Sequence, residues 1–363
     1  MFVDEPERYP VCERKSGMLR GTDSVKAVGK KQKTKANYFL VFAFCLSYFL
    51  AFSAGCNQEQ QAVELYVDAV MFKELNENEM AVEKLNSAVQ LNKRFSLAYS
   101  LLGDIHQDMA NYEKSAAAYE KAAELNPWSF KDYFNLGRVY QIMKNFVQAV
   151  KAYARACELE PDQQQAHLNI AECYYEIKDY NNALVYGERA GQIDPNVSEL
   201  QKLLGDIYEL QKNYDQAIAS YKRALEIDSN NPEIMTSLAV AYLKTNYNEP
   251  AMELLTSVIQ IQPQNNKAHQ YLGYCYLRFD EVDKAIESYG RAIAINNKDW
   301  EAYRGLGVAY MLMALQNNKT ANDSNETLRV KAIEQWRLSL DINPEQPRRE
   351  RLVKLIEKYS QEQ

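Results

Sequence analysis

A spacing of 34 residues recurs eight times along this chain of 363 residues, and it restricts the possible folds more than any other feature. In seven copies a small side chain returns at the same place: Gly103, Gly137, Ala171, Gly205, Ala239, Gly273 and Gly307. Such strict self-similarity is not typical of a globular enzyme. It predicts a linear array of stacked units, in which each unit buries its apolar face against the next.

Each period predicts a pair of antiparallel helices, because large side chains three and four positions apart form one apolar stripe. Tyr133 with Leu136 and Tyr153 with Ala156 show this spacing in one copy. The recurring small residue marks a place where two helix axes approach closely, since a bulky side chain there would overpack the contact. Prolines end several periods, because the residue before a proline is pushed out of helical geometry. They are Pro127, Pro161, Pro195 and Pro263.

These residues resemble the tetratricopeptide repeat family, in which Gly or Ala, Tyr, Ala and Pro recur at the same places. The resemblance covers about residues 62–346. It implies an all-α fold, an α-solenoid that forms a right-handed superhelix of about eight helix-turn-helix repeats with a C-terminal capping helix at 347–363. The expected repeats are 62–95, 96–129, 130–163, 164–197, 198–231, 232–265, 266–299 and 300–346.

The eighth repeat contains an insertion. Between Gly307 and Ala332 lie 25 positions, whereas the other repeats have 12 at this place. The excess, at about residues 316–327, is rich in Asn, Ser and Thr. This composition predicts an exposed loop between the two helices of the repeat.

Residues 1–56 are a different kind of sequence. A cluster of lysines precedes an apolar run at residues 38–52, and small residues then lead to Cys56. This order resembles a bacterial lipoprotein signal. The resemblance implies cleavage before Cys56 and acylation of this cysteine, with palmitate as one expected acyl group. Residues 57–61 are expected to be a short linker.

An uncleaved signal anchor and an ordinary cleaved signal are the two alternatives for this segment. As a helix, the run from residue 38 to residue 55 would span about 27 Å against a hydrocarbon core of about 30 Å. In all three interpretations the repeats face the periplasm, because basic flanks stay in the cytoplasm. The expected location is therefore the bacterial envelope, with the outer membrane favoured because no aspartate follows Cys56.

Charge argues against nucleic-acid binding. The whole chain carries a net charge of −7 and residues 1–56 carry +4, so the remainder carries −11. An acidic body of this kind repels a phosphate backbone. Outside the N-terminal segment, Cys157, Cys173 and Cys275 form no disulfide framework and no metal motif, and packing as small apolar side chains is the favoured interpretation.

No arrangement of residues in the sequence predicts catalysis. His106, His167 and His269 fall at places where other repeats have Tyr or Leu, so we interpret them as packing residues. No glycine-rich phosphate loop and no nucleophile elbow occurs. We therefore expect a protein that is not an enzyme, with no cofactor, no metal and no small-molecule substrate.

A partner is expected in the groove lined by the first helices of the repeats. The resemblance to the family implies groove positions at Lys131, Phe134, Asn135, Arg138, Leu168, Asn169, Glu172, Tyr175, Glu176, Lys202, Asp206, Glu209, Tyr274 and Arg278. The middle of this set is acidic, which predicts that the basic part of an extended peptide lies near Glu172, Glu176, Asp206 and Glu209. Asn135 and Asn169 resemble two rungs of the asparagine ladder found in the repeats of the O-linked N-acetylglucosamine transferase.

These observations favour a non-catalytic protein–protein interaction scaffold. It would be anchored to the membrane through a lipid or a signal anchor and would support assembly of a pilus, secretion or cell-wall complex. Two alternatives are a chaperone-like module that binds exported or unfolded polypeptides and a non-catalytic subunit of an envelope enzyme.

Overall fold

The computed structural model describes residues 57–316 and 323–361, and these residues form a succession of α-helices joined by short turns. The first helix, α1, covers residues 57–74 of the described part. The others are α2 (Asn78–Leu91), α3 (Ser96–Asp108), α4 (Tyr112–Leu125), α5 (Phe130–Ile142), α6 (Phe146–Leu159), α7 (Gln164–Glu176), α8 (Tyr180–Ile193), α9 (Ser198–Leu210), α10 (Tyr214–Ile227), α11 (Pro232–Lys244), α12 (Asn248–Ile261), α13 (Asn266–Arg278), α14 (Val282–Ile295), α15 (Trp300–Gln316), α16 (Asp323–Ile342) and α17 (Arg349–Gln361).

The helices alternate in length with the period of the sequence. From α3 to α14, each first helix has 13 residues and each second helix has 14. The predicted all-α solenoid with a C-terminal capping helix is therefore confirmed. In the first seven repeats, the turn between the two helices contains one residue in the left-handed region, with φ between 57° and 63°. These residues are again 34 apart: Asn76, Ala110, Lys144, Lys178, Lys212, Asn246 and Asp280.

The recurring small residue lies against an aromatic ring of the second helix. A Cβ placed on Gly137 would lie 2.7 Å from Cδ1 of Tyr153, and the same is true of Gly103 with Tyr119. The close helix contact predicted at these places is therefore present. Where the small residue is alanine, the partner is smaller, as in Ala171 with Gly187 and Ala239 with Leu255. The two positions thus compensate for each other in volume.

Successive repeats stack with their first helices on one side. First helices of neighbouring repeats contact each other; for example, α5 contacts α7, and α13 contacts α15. Successive second helices in the described part have no comparable contact. The array therefore curves with the first helices on its inner face. We call this inner face, formed by α5, α7, α9, α11, α13 and α15, the groove.

The insertion in the eighth repeat mostly lengthens helices, which corrects the expected exposed loop. Helix α15 has 17 residues and α16 has 20, against 13 and 14 in the preceding repeats. Helix α16 begins at Asp323, inside the predicted loop, and Asn325 is buried. Asp, Ser and Asn are favourable at a helix N-terminus, so the polar run starts a helix. Residues 317–322 lie outside the described part of the chain.

The two ends of the array differ. At the C-terminus, Leu352 and Ile356 of α17 join a buried cluster with Trp336 of α16. Trp336 occupies the place of the recurring tyrosine and lies against Gly307. At the N-terminus, residues 57–61 are helical, whereas the sequence predicted a linker. The predicted signal segment, residues 1–56 with Cys56, lies outside the described residues. Among the helices described here, none is both long and apolar enough to cross a bilayer.

Candidate peptide-binding groove

All fourteen residues predicted for the groove lie on first helices of the repeats. Helix α5 carries Lys131, Phe134, Asn135 and Arg138, α7 carries Leu168, Asn169, Glu172, Tyr175 and Glu176, α9 carries Lys202, Asp206 and Glu209, and α13 carries Tyr274 and Arg278. Three of them, Phe134, Arg138 and Asn169, line one cavity of about 470 Å³ between α5 and α7. Leu168 is only 2 % exposed, because it packs in the core with Ala171, and it therefore offers no surface for a ligand.

Asp206 and Lys202 are engaged within the protein. The hydroxyl of Tyr221 donates to Asp206 Oδ1 at 2.7 Å, and Lys202 Nζ donates to Asp206 Oδ2 at 2.9 Å. Lys202 Nζ also pairs with Glu233 of α11 at 2.9 Å. Tyr221 Oη lies 3.2 Å from Glu209 as well. The pair with Glu233 joins two neighbouring repeats, and the other contacts lie within one repeat. Asp206 is therefore neutralised by Lys202, whereas Glu209 is bonded only to the neutral tyrosine.

Glu172 is partly withdrawn from solvent. Burial raises its pKa, the hydrogen bond from Gln141 at 2.9 Å opposes this rise, and the nearby charges of Glu199 and Glu176 add to it. Of the four predicted acidic contacts, only Glu176 has no hydrogen bond or ion pair within the described residues. Three of these four carboxylates are therefore held by hydrogen bonds within the protein, and the sequence did not predict these bonds.

The two asparagines of the proposed ladder already have partners. Asn135 Nδ2 lies 3.5 Å from Asp104, whose carboxylate also accepts from Lys131 at 2.7 Å. Asn169 is buried and accepts from Gln165 at 2.8 Å. These contacts hold the groove surface together, and they disfavour a ladder that binds a peptide main chain.

The histidines have a structural use beyond packing. His167 Nε2 lies 2.9 Å from the carbonyl of Pro161, and His269 Nε2 lies 2.9 Å from the carbonyl of Pro263. Gln201 makes the same contact with Pro195 at 3.0 Å. Because a carbonyl only accepts, the ring nitrogen donates. This side chain therefore ties the turn between repeats to the helix that follows.

The three cysteines in the described part of the chain offer no reactive thiol. Burial raises the pKa of Cys157 to about 11 and of Cys173 and Cys275 to about 12. These thiols stay protonated at neutral pH, and the thiolate is the reactive form. Within the described ranges, no three His, Cys, Asp or Glu side chains are grouped so that they could hold a metal ion.

A cavity lies at the C-terminal end of the groove, where α17 covers the last repeat. Its volume is about 740 Å³, within the usual range of ligand pockets of about 300–1,000 Å³. Residues from the first helices α11, α13 and α15 form one wall, and Tyr271, Tyr274 and Tyr289 contribute aromatic surface. Tyr274 is 42 % exposed. At Gly305 the backbone lies directly against the Tyr289 ring.

The rim of this cavity is basic. Lys244, Arg304, Arg348 and Arg351 line it, and Glu301 is the acidic lining residue. The sequence-based prediction was only a capping helix at 347–363, which contains Arg348 and Arg351. It missed their convergence on Arg304, because the position of α17 does not follow from the 34-residue period.

Comparisons with known proteins agree with this architecture. Models described as TPR repeat or tetratricopeptide repeat match residues 97–127, 142–207, 205–246, 232–265 and 280–313, which together exceed half of the chain. A comparison with curated proteins found no match.

Several solved structures are similar at low sequence identity. YrrB, described as a TPR protein with an unusual peptide-binding site, is 22 % identical over 52 % of this chain and 96 % of its own, with a TM-score of 0.47. PilF of Pseudomonas aeruginosa is 22 % identical over 57 % and 94 %, with a TM-score of 0.49. A tetratricopeptide repeat protein from Parabacteroides merdae ATCC 43184 is 15 % identical over 69 % and 99 %, with a TM-score of 0.49.

At this level of identity, the likeness to solved structures concerns the fold alone. The matched repeat models, the alternating helix lengths and the packing of Gly137 on Tyr153 agree with one another. The chain belongs to the tetratricopeptide repeat family, whose fold is that of a protein–protein interaction scaffold.

Proposed function

We propose that this protein is a non-catalytic scaffold that holds a segment of a partner protein in its groove. The observation that supports this most directly is the cavity at the C-terminal end, because first helices of three successive repeats line it together. A ligand there would contact several repeats at once. An extended polypeptide fits such a surface better than a compact small molecule does.

We further propose that the scaffold is anchored at the periplasmic face of a bacterial envelope, with the outer membrane favoured. The support is the order of lysines, apolar run and small residues before Cys56. More than one acyl chain is needed for stable anchoring. Mass spectrometry of the mature N-terminus tests this proposal. An acylated Cys56 as the first residue would support it, and a chain that begins at Met1 or Met18 with an unmodified Cys56 would exclude lipidation.

A tethered solenoid suits the assembly of a multiprotein machine, such as a pilus, secretion or cell-wall complex. It can hold one component in its groove at a fixed distance from the membrane. The experiment is co-purification of partners with the full chain from detergent-solubilised envelopes, quantified by mass spectrometry. We expect one dominant partner that remains bound through repeated washing.

The groove is tested by exchanging two exposed charges on it. The double variant R138E/E176K keeps the net charge and alters α5 and α7, where neither residue has an ion pair within the described part. A matched control, E287K/R291E, exchanges an exposed pair on the second helix α14. The groove variant should lose the partner and the control should retain it. Equal recovery from both variants would refute binding in the groove.

One observation favours the chaperone-like alternative. Four large apolar side chains spaced four residues apart form an exposed stripe along α1 and the residue directly after it, each at least half exposed: Val63, Val67, Met71 and Leu75. An apolar stripe of this kind can bind unfolded polypeptides. Many unfolded clients in the co-purification, in place of one stable partner, would support this alternative.

A further inference from the structure

We propose that the cavity under α17 binds a short acidic segment of the partner protein. An apolar side chain of this segment would lie on the aromatic surface formed by Tyr271, Tyr274 and Tyr289, which we call the tyrosine floor. The carboxylates of the segment would pair with Arg304, Arg348 and Arg351. This inference rests on the proposed function, since it assumes that the groove holds a polypeptide. It adds the chemical class of the segment and the place where it binds.

The first argument is the local excess of positive charge. Residues after position 56 carry a net charge of −11, yet four cations and one carboxylate line this cavity. None of these four cations forms an ion pair with a carboxylate in the described part of the chain, whereas Lys131 and Lys202 elsewhere in the groove do. This cavity therefore gathers four cations that have no carboxylate partner in the described residues, whereas Lys131 and Lys202 are neutralised within the protein.

Arg304 provides the second, independent argument. Its side chain is half-buried, and its Nη1 donates only a long hydrogen bond, 3.4 Å, to the carbonyl of Pro347. Its guanidinium also stacks on the ring of Trp300 at 4.8 Å. Burial lowers the pKa of Arg304, and the charge of nearby Arg348 lowers it further against the opposing effect of Glu301. A guanidinium carries several N–H donors, so a half-buried one with a single weak partner favours an anionic ligand.

The shape of the floor argues for a peptide. Tyr274 and Val308 are exposed, and Tyr271 and Leu277 are half-buried. Gly305 has no side chain, and the Tyr289 ring occupies the space that a Cβ would need. An inorganic anion would make no favourable contact with this apolar surface. A chain with an apolar side chain between carboxylates would satisfy both the floor and the basic rim.

The geometry of arginine also suits the proposed ligand. A guanidinium presents a planar fork that binds a carboxylate through two parallel hydrogen bonds. The same fork binds phosphate, so a phosphorylated segment is the main competing ligand. The tyrosine floor does not discriminate between carboxylate and phosphate. The binding experiment therefore includes a peptide with each group.

The test uses the full chain in neutral detergent and fluorescein-labelled synthetic peptides in an anisotropy titration. One peptide has a central phenylalanine flanked by glutamates, a second replaces the glutamates with glutamine, and a third replaces them with lysine. A fourth is the glutamine peptide with one phosphoserine. We expect the glutamate peptide to bind at least about tenfold more tightly than the other three, and more weakly as the salt concentration rises.

Arginine variants locate the site. Arg304→Gln and Arg351→Gln should each weaken the glutamate peptide by about tenfold, the change expected when one charge-assisted hydrogen bond is lost. Arg291→Gln removes the same charge from the outer helix α14 and should leave binding unchanged. Arg351 is exposed, so this variant keeps the test valid if Arg304→Gln unfolds. Circular dichroism checks the fold of each variant.

Three results would overturn the inference: equal binding of the glutamate and glutamine peptides, tighter binding of the phosphoserine peptide, or wild-type affinity in both cavity variants. If the partner is still lost from R138E/E176K, the proposed function survives such a result. If the partner is retained by that variant as well, the proposed function fails too. The two failures are therefore distinguishable.

Discussion

Substitution of Gly137 by alanine is the sharpest test of how the repeats pack. The new Cβ would lie 2.7 Å from Cδ1 of Tyr153 and 2.8 Å from its Cγ. Ordinary carbon contacts are about 3.5–4.0 Å, so the ring or the helix must shift by nearly 1 Å. Overpacking of this kind costs about 1–3 kcal/mol, whereas alanine gains about 1 kcal/mol over glycine in helix propensity. We expect a net destabilisation of up to about 2 kcal/mol.

A matched glycine separates packing from propensity. Gly290 lies in α14, and a Cβ placed on it would have no neighbour within 4 Å. Gly290→Ala should therefore stabilise the protein by about 1 kcal/mol. The measurements are urea denaturation followed by circular dichroism and hydrogen exchange of α5 and α6, because repeat arrays can unfold locally.

A second substitution should rescue the first. Ala239 faces Leu255 in another repeat, so Tyr153→Leu in the Gly137→Ala background copies a pair that already occurs in this chain. Tyr153→Leu alone should destabilise through lost packing and the lost hydrogen bond to Gln141. The loss of unfolding free energy in the double variant should be smaller than the sum of the two single losses by about 1–2 kcal/mol. Additive effects, or equal effects of Gly137→Ala and Gly290→Ala, would refute the volume-compensation argument.

Three further predictions concern turns, charges and the ties between repeats. Ala110 has φ 57°, so Ala110→Gly should raise the stability of the protein by about 0.5–1 kcal/mol. Asn76→Gly should raise it less, because asparagine tolerates this conformation. A lower denaturation midpoint for Ala110→Gly would contradict this prediction. The pKa of Glu172 is raised above its ordinary value of 4.5, so the ionised form of Glu172 lowers the stability of the folded protein. This cost is fully present above the raised pKa and disappears as the pH falls below 4.5. Glu172→Gln should therefore be more stable than the wild type at neutral pH, with the difference vanishing in acid; a difference that is constant with pH would exclude burial as the cause. His167→Gln should keep wild-type stability, because Gln201 already makes the equivalent hydrogen bond in the next repeat. His167→Leu should lose about 1 kcal/mol of stability. If thermal denaturation does not distinguish the two variants, the hydrogen bond to the proline carbonyl does not have the stabilising role assigned to it.

The fold was predictable because tetratricopeptide packing is local and periodic. Gly137 and Tyr153 are 16 residues apart and belong to one repeat, so the register alone brings them together. The insertion was predicted less well, because composition suggested a loop where Asp323 begins a helix. Helix start signals near Asp323 compete with the loop-like composition, and Asn325 is buried in the helix that forms.

The site was predictable in position and only partly in chemistry. The period identifies which residues face the groove, but it does not show whether a carboxylate is already paired. A signal was present: Asp104 and Asp206 each have a tyrosine 15 residues later, and both tyrosines donate to these aspartates. The basic cavity could not be found in this way, because α17 lies outside the repeat and brings Arg351 to Arg304 through a tertiary contact.

Site-specific photo-crosslinking tests the central claim, that the inner face of this solenoid holds a partner polypeptide. A photoreactive amino acid would replace Ile142 or Tyr274 on the groove, which are 45 % and 42 % exposed, or Val185 on the second helix α8, which is 61 % exposed. After irradiation of cells that express the full chain, crosslinked products are identified by mass spectrometry. We predict the same partner at Ile142 and Tyr274 and no crosslink to it at Val185. A partner captured at Val185 alone, or no difference among the three positions, would contradict the account.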